Sequence, residues 1–288
     1  MKKLIIAAAA SIAAVGAFAA VESANVVGYN SINVARGGYV LASPQFKDCA
    51  ETTDVMDLAK LITTDAPCID MSDTSWEADG YCATIMVKTS EANPIYDCYY
   101  YCYDSDTAEP EPATAGWWKG DLATPLTDKL ALGRGAWFVI PNDDTLFPNE
   151  SYKFTFSGAT ADLTKGISVP VVNKGYTIAA NPFPTPITGA NITVSPGVSC
   201  VDMETTSWEA DGYCATIMVK TSQQNPIYDC YYYCYDSDTA EPEPAHAGWW
   251  KGDLATEWST PIAAGQAFWI VIPDGLLPDD KQTFTFSL

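Results

Sequence analysis

Eight of the nine cysteines in this chain are the residues best placed to do chemistry, because they form two equivalent sets. Each cysteine of the first set has a counterpart 132 residues later. Paired thiols form disulfides in an oxidising compartment, whereas C-x-x-C pairs are typical of structural zinc sites. The chain contains no C-x-x-C pair, so the sequence predicts disulfides within each set. The eight are Cys68, Cys82, Cys98, Cys102, Cys200, Cys214, Cys230 and Cys234, and Cys49 is left over.

The spacing within a set indicates how the bridges form. Cys98 and Cys102 lie four positions apart in a Tyr-rich segment with the pattern of a strand. Their Cα atoms should therefore be roughly 13 Å apart, which is too far for a disulfide. A hairpin whose turn is centred on Ala92 places Cys82 opposite Cys102 and leaves Cys68 for Cys98. The same hypothesis applies to the second set and predicts two bridges in each.

The sequence shows no catalytic set that both copies share, and we expect no enzymatic activity. The single histidine, His246, corresponds to Thr114 in the other copy, so neither a Ser-His-Asp nor a Cys-His arrangement can be common to both. Carboxylate pairs of the kind that hydrolyse glycosidic bonds are available. However, a chain with 36 acidic residues supplies such pairs by chance. We predict no catalytic residues.

Two acidic loops are the best candidates for a metal site. Carboxylates at alternate positions offer hard oxygen ligands to Ca²⁺, but the loops lack the Gly and Glu that an EF-hand requires at its sixth and twelfth positions. We therefore favour an acidic loop stiffened by proline over a calcium site, and expect no other cofactor. The candidate ligands are Asp104, Asp106, Glu109, Asp236, Asp238 and Glu241.

Tyrosines and tryptophans near the cysteines form a candidate binding face. Because neighbouring strand residues point to opposite faces, at least one residue of each Trp-Trp pair should point outward. Exposed aromatic rings stack on sugars or anchor a protein partner, whereas inward rings fill the core, and both interpretations stay open. The candidate face consists of Tyr99, Tyr101, Trp117, Trp118, Tyr231, Tyr233, Trp249 and Trp250.

All these residues belong to a tandem duplication. Residues 74–124 recur as residues 206–256 with only three differences, and weaker matches extend each copy to about 130 residues. That length suits a domain with its own core. We call the copies the first and second repeat, and predict a β-domain for each, at 20–158 and 159–288, after a leader at 1–19.

The amino terminus and the charge indicate the compartment. Lys2 and Lys3 precede an apolar run at 4–15 and the small-x-small site at 17–19, which is typical of a bacterial secretory signal. The formal net charge of −21 argues against binding to nucleic acid or anionic lipid, since both need a basic surface. We expect a secreted or cell-surface protein, periplasmic or extracellular, without membrane insertion.

The pattern between these residues predicts an all-β fold. Short runs rich in β-branched and aromatic residues alternate with Gly, Pro, Asn and Asp. About seven strands in each repeat favour a β-sandwich or a distorted barrel. One helix is predicted at 54–62 with Thr53 as its N-cap. The clearest predicted strands lie at 83–89, 95–103, 136–140 and 152–156.

Several short motifs resemble those of a group of secreted bacterial repeat proteins. Residues 25–29 read Asn-Val-Val-Gly-Tyr, residues 38–42 Gly-Tyr-Val-Leu-Ala and residues 265–270 Gly-Gln-Ala-Phe-Trp-Ile, and the chain closes with Phe-Thr-Phe-Ser. In that group a VVGY strand, a G-x-x-x-I-A-x-P-F segment, a G-x-A-F-W strand and a T-F-x-G ending occur in the same order. The resemblance implies tandem exported β-domains and assigns them no activity.

Two classes of function follow from the sequence. The first is a structural or interaction protein of the cell exterior that associates with itself or with other surface proteins. The second is a carbohydrate-binding or adhesive module that binds glycans through its aromatic faces. For self-assembly, the segment 26–34 would add a strand to an open sheet edge of a neighbour. The alternative is that it pairs within its own repeat, as 167–172 is expected to do in the second.

Overall fold

The computed structural model describes residues 27–48, 55–73, 78–106, 114–205, 210–237, 246–277 and 282–288. The predicted leader, Cys49 and Thr53 lie outside this part of the chain, as do the acidic-loop residues Glu109, Asp238 and Glu241. Its secondary structure is almost entirely strand, so the predicted all-β class is confirmed. No helix among the described residues is long and apolar enough to cross a membrane.

The elements follow the duplication. The first repeat has β1 (Val27–Ala35), β2 (Tyr39–Ala42), β3 (Phe46–Lys47), β4 (Val55–Asp57), α1 (Leu58–Leu61), β5 (Ile62–Thr64), β6 (Ile69–Asp70), β7 (Thr84–Lys88), β8 (Tyr96–Tyr103), β9 (Gly116–Lys119), β10 (Lys129–Ala131), β11 (Ala136–Val139) and β12 (Ser151–Thr160). The second has β13 (Ile167–Val171), β14 (Gly175–Ala180), β15 (Ile192–Val194), β16 (Val201–Asp202), β17 (Thr216–Lys220), β18 (Tyr228–Tyr235), β19 (Gly248–Lys251), β20 (Ala267–Ile272) and β21 (Gln282–Phe286). Short 3-10 turns lie at Met71–Asp73, Gly189–Asn191 and Met203–Thr205.

Each repeat contains a small sheet and a large sheet. In the first repeat the small sheet has the order β1-β12-β3, with β5 also on β12, and the large sheet has the order β2-β11-β7-β8-β6, with β9 also on β8. The second repeat has the corresponding orders β13-β21-β15 and β14-β20-β17-β18-β16, with β19 on β18. A two-stranded ribbon of β4 and β10 completes the first repeat.

The predicted hairpin is present in both repeats with the predicted register. β7 and β8 pair antiparallel about Ala92, so that Met86 lies opposite Cys98. In the second repeat Met218 lies opposite Cys230 in the same way. The strands predicted at 136–140 and 152–156 are also present, as β11 and β12.

The predicted helix at 54–62 is largely wrong. Only α1 is helical, and it is flanked by strands β4 and β5. Met56 pairs with Leu130 in the ribbon of β4 and β10, and Ile62 pairs with Phe156 of β12. Met56, Leu58 and Ile62 are buried whereas Ala59 is exposed, and tertiary pairing overrides a weak local preference for helix in so short a segment.

The small and large sheets of each repeat pack face to face in a sandwich-like arrangement. In the first repeat Phe138 of β11 contacts Phe154 and Phe156 of β12, with ring centroids 5.2 and 5.3 Å apart. In the second, Phe268 of β20 contacts Phe286 of β21 at 5.7 Å. Aromatic edge-to-face pairs of this kind bury large apolar areas and fix the relative position of the sheets.

The first strand pairs within its own repeat. β1 is antiparallel to β12 over nine residues, from Val27 opposite Ala159 to Ala35 opposite Ser151. Its counterpart β13 pairs with β21. The expected equivalence of the two strands is therefore confirmed, and strand donation to a neighbour stays a prediction.

Candidate functional site

The aromatic residues of the predicted binding face lie mostly inside the protein. Tyr99 and Tyr231 are each 1% exposed, and both members of the second Trp-Trp pair, Trp249 and Trp250, are buried. The expectation that each Trp-Trp pair presents a ring to solvent is therefore wrong for the second repeat. The remaining four residues, Tyr101, Trp117, Trp118 and Tyr233, are half-buried.

These rings are buried because the large sheet is covered on both faces around β8. The neighbouring residues Tyr99 and Tyr100 point to opposite faces, and both are buried. Tyr101 packs on Trp117 at 4.9 Å, and Trp117 in turn reaches Phe154 of the small sheet at 6.1 Å. Alternation along a strand predicts outward rings only when one face of its sheet is solvated.

One cleft in the second repeat retains aromatic walls. It has a volume of about 450 Å³, and Tyr233, Trp249 and Trp258 line it. Trp258 stacks on Tyr231 with ring centroids 4.3 Å apart and planes 16° apart. Leu126 is the counterpart of Trp258 in the first repeat. The Leu126 N–H donates to the Trp117 carbonyl, just as the Trp258 N–H donates to the Trp249 carbonyl. The indole N–H of Trp249 has no hydrogen-bond partner among the described residues.

The cysteines are thiols in this structure. All eight described cysteines are free, and no two of them stand at disulfide distance, so the predicted bridges stay a prediction. The Cys82 thiol donates to the Met71 sulfur at 3.6 Å and the Cys102 thiol to the Tyr100 carbonyl at 3.8 Å, and Cys82 is close enough to raise the pKa of Cys102. Cys98 lies elsewhere, in contact with Tyr100, whereas Cys68 lies beside Cys102. The structure therefore brings the first predicted pair together but does not bring Cys68 to Cys98.

The environment of these thiols favours their protonated form. Burial raises the pKa of Cys68 and of its counterpart Cys200 to about 11. The hydrogen bond from Cys82 is the main cause that raises the pKa of Cys102, and burial acts in the same direction. Thiols of this kind react slowly, because the thiolate is the nucleophile.

Among the described acidic-loop candidates, the Asp104 carboxylate bonds within its own turn. The Asp104 carboxylate accepts a hydrogen bond from the Asp106 backbone N–H at 2.8 Å. Hydrogen bonds from Ser105, as the main cause, lower the pKa of Asp70. Among the described residues, no three His, Cys, Asp or Glu side chains are grouped so as to hold a metal ion. The three outer ligand candidates lie outside the described part of the chain.

The single histidine lies at the surface. His246 is in edge contact with the ring of Trp250 at 5.2 Å, and its Nε2 is 3.5 Å from a carboxylate oxygen of Glu257. Both side chains are more than half exposed. An imidazole in this position resembles a solvated loop residue, and of its two contacts only Glu257 borders the aromatic cleft.

The most extensive shared feature of the repeats is an interface between their large sheets. The Tyr39 N–H donates to the Gln223 carbonyl at 2.9 Å, and the Tyr176 N–H donates to the Glu91 carbonyl at 2.8 Å. These are the same contact made twice, since Tyr176 is the counterpart of Tyr39 and Gln223 that of Glu91. Two further reciprocal contacts are the bridges Ala42 to Gln266 and Ala179 to Arg134. We call this surface the inter-repeat interface.

Apolar side chains fill the centre of the inter-repeat interface. They come from the faces of β2, β11, β14 and β20 that point away from the small sheets. The described chain is therefore layered as small sheet, large sheet, large sheet and small sheet. The buried members are Leu41, Trp137, Ile178, Ala180 and Ala267.

The two repeats differ at the edge of this interface. The Gln223 side chain accepts a hydrogen bond from the Ala35 N–H at 2.8 Å and donates one to the Asn33 carbonyl at 3.1 Å, so it closes the free edge of β1. Its counterpart Glu91 forms an ion pair with Arg134 instead. Gln223 and Glu91, which differ between the repeats, thus occupy equivalent positions, where one forms hydrogen bonds to the backbone and the other an ion pair.

No protein-family model matches the chain, and no curated protein is similar to it in sequence.

The interface residues were not among those predicted from the sequence, although two of their segments carry a recognisable pattern. The segments at 136–140 and 267–272 are continuous apolar runs without polar alternation. Such runs are typical of strands that are buried on both faces. Read in this way, they would have indicated that a second layer covers the outer face of each large sheet.

Proposed function

We propose that this protein is a structural or interaction protein of the cell exterior, exported by its leader, without enzymatic activity, and that its two repeats act as one rigid body. The inter-repeat interface carries this proposal. It is built from reciprocal backbone hydrogen bonds around an apolar centre, which gives a joint that resists bending between the repeats. Interfaces within a chain that are large and apolar oppose relative domain motion.

The surface of this body supports a role in interaction. Tyr29 on β1 is 82% exposed, and the repeated pair Ile95 and Ile227 at the hairpin tips is 55% exposed at each position. Two outward isoleucines at equivalent places offer a partner the same apolar contact twice. Self-association or binding to another surface protein would use these residues, and bivalent contact raises affinity through effective concentration.

Fractionation and mass measurement together test this proposal. The full chain is expressed in a bacterium, and the periplasm and medium are assayed for a form that has lost residues 1–19. The exported protein is then measured by mass photometry and negative-stain electron microscopy, next to the Ile95→Ser/Ile227→Ser variant. We expect export, and assemblies or partner complexes that the variant weakens. Retention of the uncleaved chain in the cytoplasm would contradict the proposal.

The aromatic cleft supports a second candidate, a carbohydrate-binding module. Tyr233, Trp249 and Trp258 line one concave site, and Tyr233 is the half-buried ring among them. Glu257 on the rim supplies an acceptor for a sugar hydroxyl. Aromatic walls with a few polar groups are typical of sites that bind sugars by stacking.

A glycan array separates the two candidates. Trp258→Leu installs the residue that the first repeat already carries at Leu126, so the fold should tolerate it. If the cleft binds sugar, this variant loses binding while Tyr213→Ala, at an exposed tyrosine of the same repeat, keeps it. Absence of glycan binding by the unmodified protein would eliminate the second candidate and leave the first.

A further inference from the structure

Three cysteines of each repeat meet beside the central hairpin. In the first repeat the Tyr101 N–H donates to the Ala83 carbonyl at 2.9 Å, which extends the register of β7 and β8 past the end of β7. Cys82 and Cys102 lie one position further on, where Cys82 has left the strand and its backbone N–H donates to the Ala78 carbonyl at 3.1 Å. Both are fully buried. In the second repeat, Tyr233 and Ala215 make the equivalent hydrogen bond, and it places Cys214 opposite Cys234.

The position of this pair in the ladder suits a disulfide. Tyr101 and Ala83 are joined by a ladder hydrogen bond, so continuing the register by one residue sets Cys82 and Cys102 at a non-hydrogen-bonded position. At such positions the Cα atoms are only about 4.5 Å apart and the side chains lie closest. Cα separations of roughly 4.4 to 6.8 Å are those that a disulfide spans. The effect of the Cys82 side chain on the pKa of Cys102 agrees with this geometry.

The third cysteine connects the buried pair to the surface. Cys68 precedes Ile69, whose Cα is paired with that of Cys102. The Gly116 backbone N–H donates to the Cys68 sulfur, and Gly116 is itself the strand partner of Cys102. Cys68 is half-buried, whereas Cys82 and Cys102 have no exposed surface. A reagent that comes from solvent would therefore reach Cys68 first.

We infer that these cysteines are a disulfide-forming modification site, one in each repeat, that takes its oxidising equivalents from a small-molecule disulfide or a disulfide oxidoreductase. We call Cys68, Cys82 and Cys102 the first thiol triad, and Cys200, Cys214 and Cys234 the second. The bridge forms between the second and third members of each triad. The first member accepts the reagent.

The reaction is a sequence of thiol–disulfide exchanges. The Cys68 thiolate attacks the reagent disulfide, whose S–S bond breaks and releases one reagent thiol. The Cys102 thiolate then attacks the Cys68 sulfur and releases the second reagent thiol, which leaves a bridge between Cys68 and Cys102. Finally the Cys82 thiolate attacks Cys102 and displaces Cys68, which regains a proton. In total two protein thiols are oxidised and one reagent disulfide is reduced to two thiols.

Cys98 and Cys230 provide the internal control. Each lies opposite a methionine in the middle of the hairpin, and the Cys98 thiol contacts the Tyr100 side chain. They are four positions from the nearest member of the triad on the same strand, which is roughly 13 Å and beyond the reach of a bridge. They should stay reduced while the triads are oxidised.

The experiment uses the chain without residues 1–19 in a Cys49→Ser background, reduced and then freed of reductant. The folded protein is incubated with oxidised glutathione, alkylated at intervals and analysed by intact mass and non-reducing peptide mapping. We expect a glutathione adduct on Cys68 that declines as the Cys82–Cys102 bridge appears, with the same course in the second triad. Cys98 and Cys230 should be recovered alkylated.

Two variants separate the steps. Cys82→Ser should stop the exchange at a Cys68–Cys102 bridge. Cys68→Ser should slow oxidation of the buried pair by about tenfold or more, because inaccessible thiols are inert, whereas Cys98→Ser should oxidise at the unmodified rate. A final bridge that contains Cys98, a stable adduct on Cys68 with no bridge, or unchanged oxidation of Cys68→Ser would overturn the inference. Near-ultraviolet circular dichroism establishes that each variant is folded.

Discussion

Trp137 and Trp269 contact each other across the inter-repeat interface, with ring centroids 6.2 Å apart and planes 56° apart. They are the same position of the two repeats. In an assembly with a two-fold axis, only residues near that axis can contact their own counterparts. The two repeats are therefore joined as the subunits of a symmetric dimer would be, with the axis passing between these tryptophans.

Removal of one of these rings should destabilise the protein strongly. Trp137 is 8% exposed, and Trp137→Ala should lower the free energy of unfolding by about 3 to 5 kcal/mol through the cavity that it leaves. Urea denaturation followed by circular dichroism measures the change. Tyr29→Ala, at a tyrosine that is 82% exposed, should change it by less than about 0.5 kcal/mol. Equal effects of the two variants would show that the interface does not bear on stability.

A glycine near the same axis allows the sheets to approach. A Cβ atom on Gly135 would stand 2.5 Å from the Cβ of Ala267, its counterpart in the second repeat. Gly135→Ala should therefore force the large sheets apart and cost about 1 to 3 kcal/mol. The matched control is Gly120→Ala, where the nearest atom would lie at 3.8 Å, and we expect a change below about 1 kcal/mol. Thermal unfolding of both proteins in parallel decides the point.

The ion pair between Glu91 and Arg134 should be coupled energetically. Both side chains are largely buried, at 23% and 17% exposure, so Glu91→Gln leaves Arg134 without its charged partner and should cost about 2 kcal/mol. Adding Arg134→Gln gives the pair of glutamines that the second repeat has at Gln223 and Gln266, and should recover part of the loss. A double-mutant cycle measures the coupling, and a value below about 0.5 kcal/mol would contradict a direct pair.

The raised thiol pKa values predict a loss of stability in alkali. The pKa of Cys68 and Cys200 is about 11 in the folded chain, against an ordinary value of 9.0. Between these values the unfolded chain has lost protons that the folded chain retains, so the thiol contribution to stability is full below pH 9 and falls as the pH rises to 11. Lys88 acts in the opposite direction, because burial lowers its pKa to about 8.

Comparison with a variant isolates the thiol contribution. Urea midpoints of the reduced protein and of Cys68→Ser/Cys200→Ser are measured across this pH range. The effect of Lys88 is common to both proteins and cancels in the difference. We expect the stability of the unmodified protein to fall more steeply with pH than that of the variant. Parallel pH profiles would show that the pKa of these thiols is the same in the folded and unfolded chain.

The sequence by itself determined the features that depend on local order along the chain. Duplication, strand content and the hairpin register about Ala92 could all be read from it, because strand alternation and turn position follow from neighbouring residues. The equivalence of β1 and β13 was also available from the repeat. These properties do not depend on how the sheets pack against one another.

Tertiary structure alone decided where the faces go. The Trp-Trp pairs were expected to reach solvent, yet Trp249 and Trp250 are buried, because alternation assigns a side chain to a face but cannot say whether that face is covered. The predicted helix gave way at Met56 to pairing with Leu130, a contact between segments far apart in the chain. The contact between Trp137 and Trp269 likewise forms only when the two large sheets stack on each other. Stacking is favourable because it removes the apolar outer faces of these sheets from water.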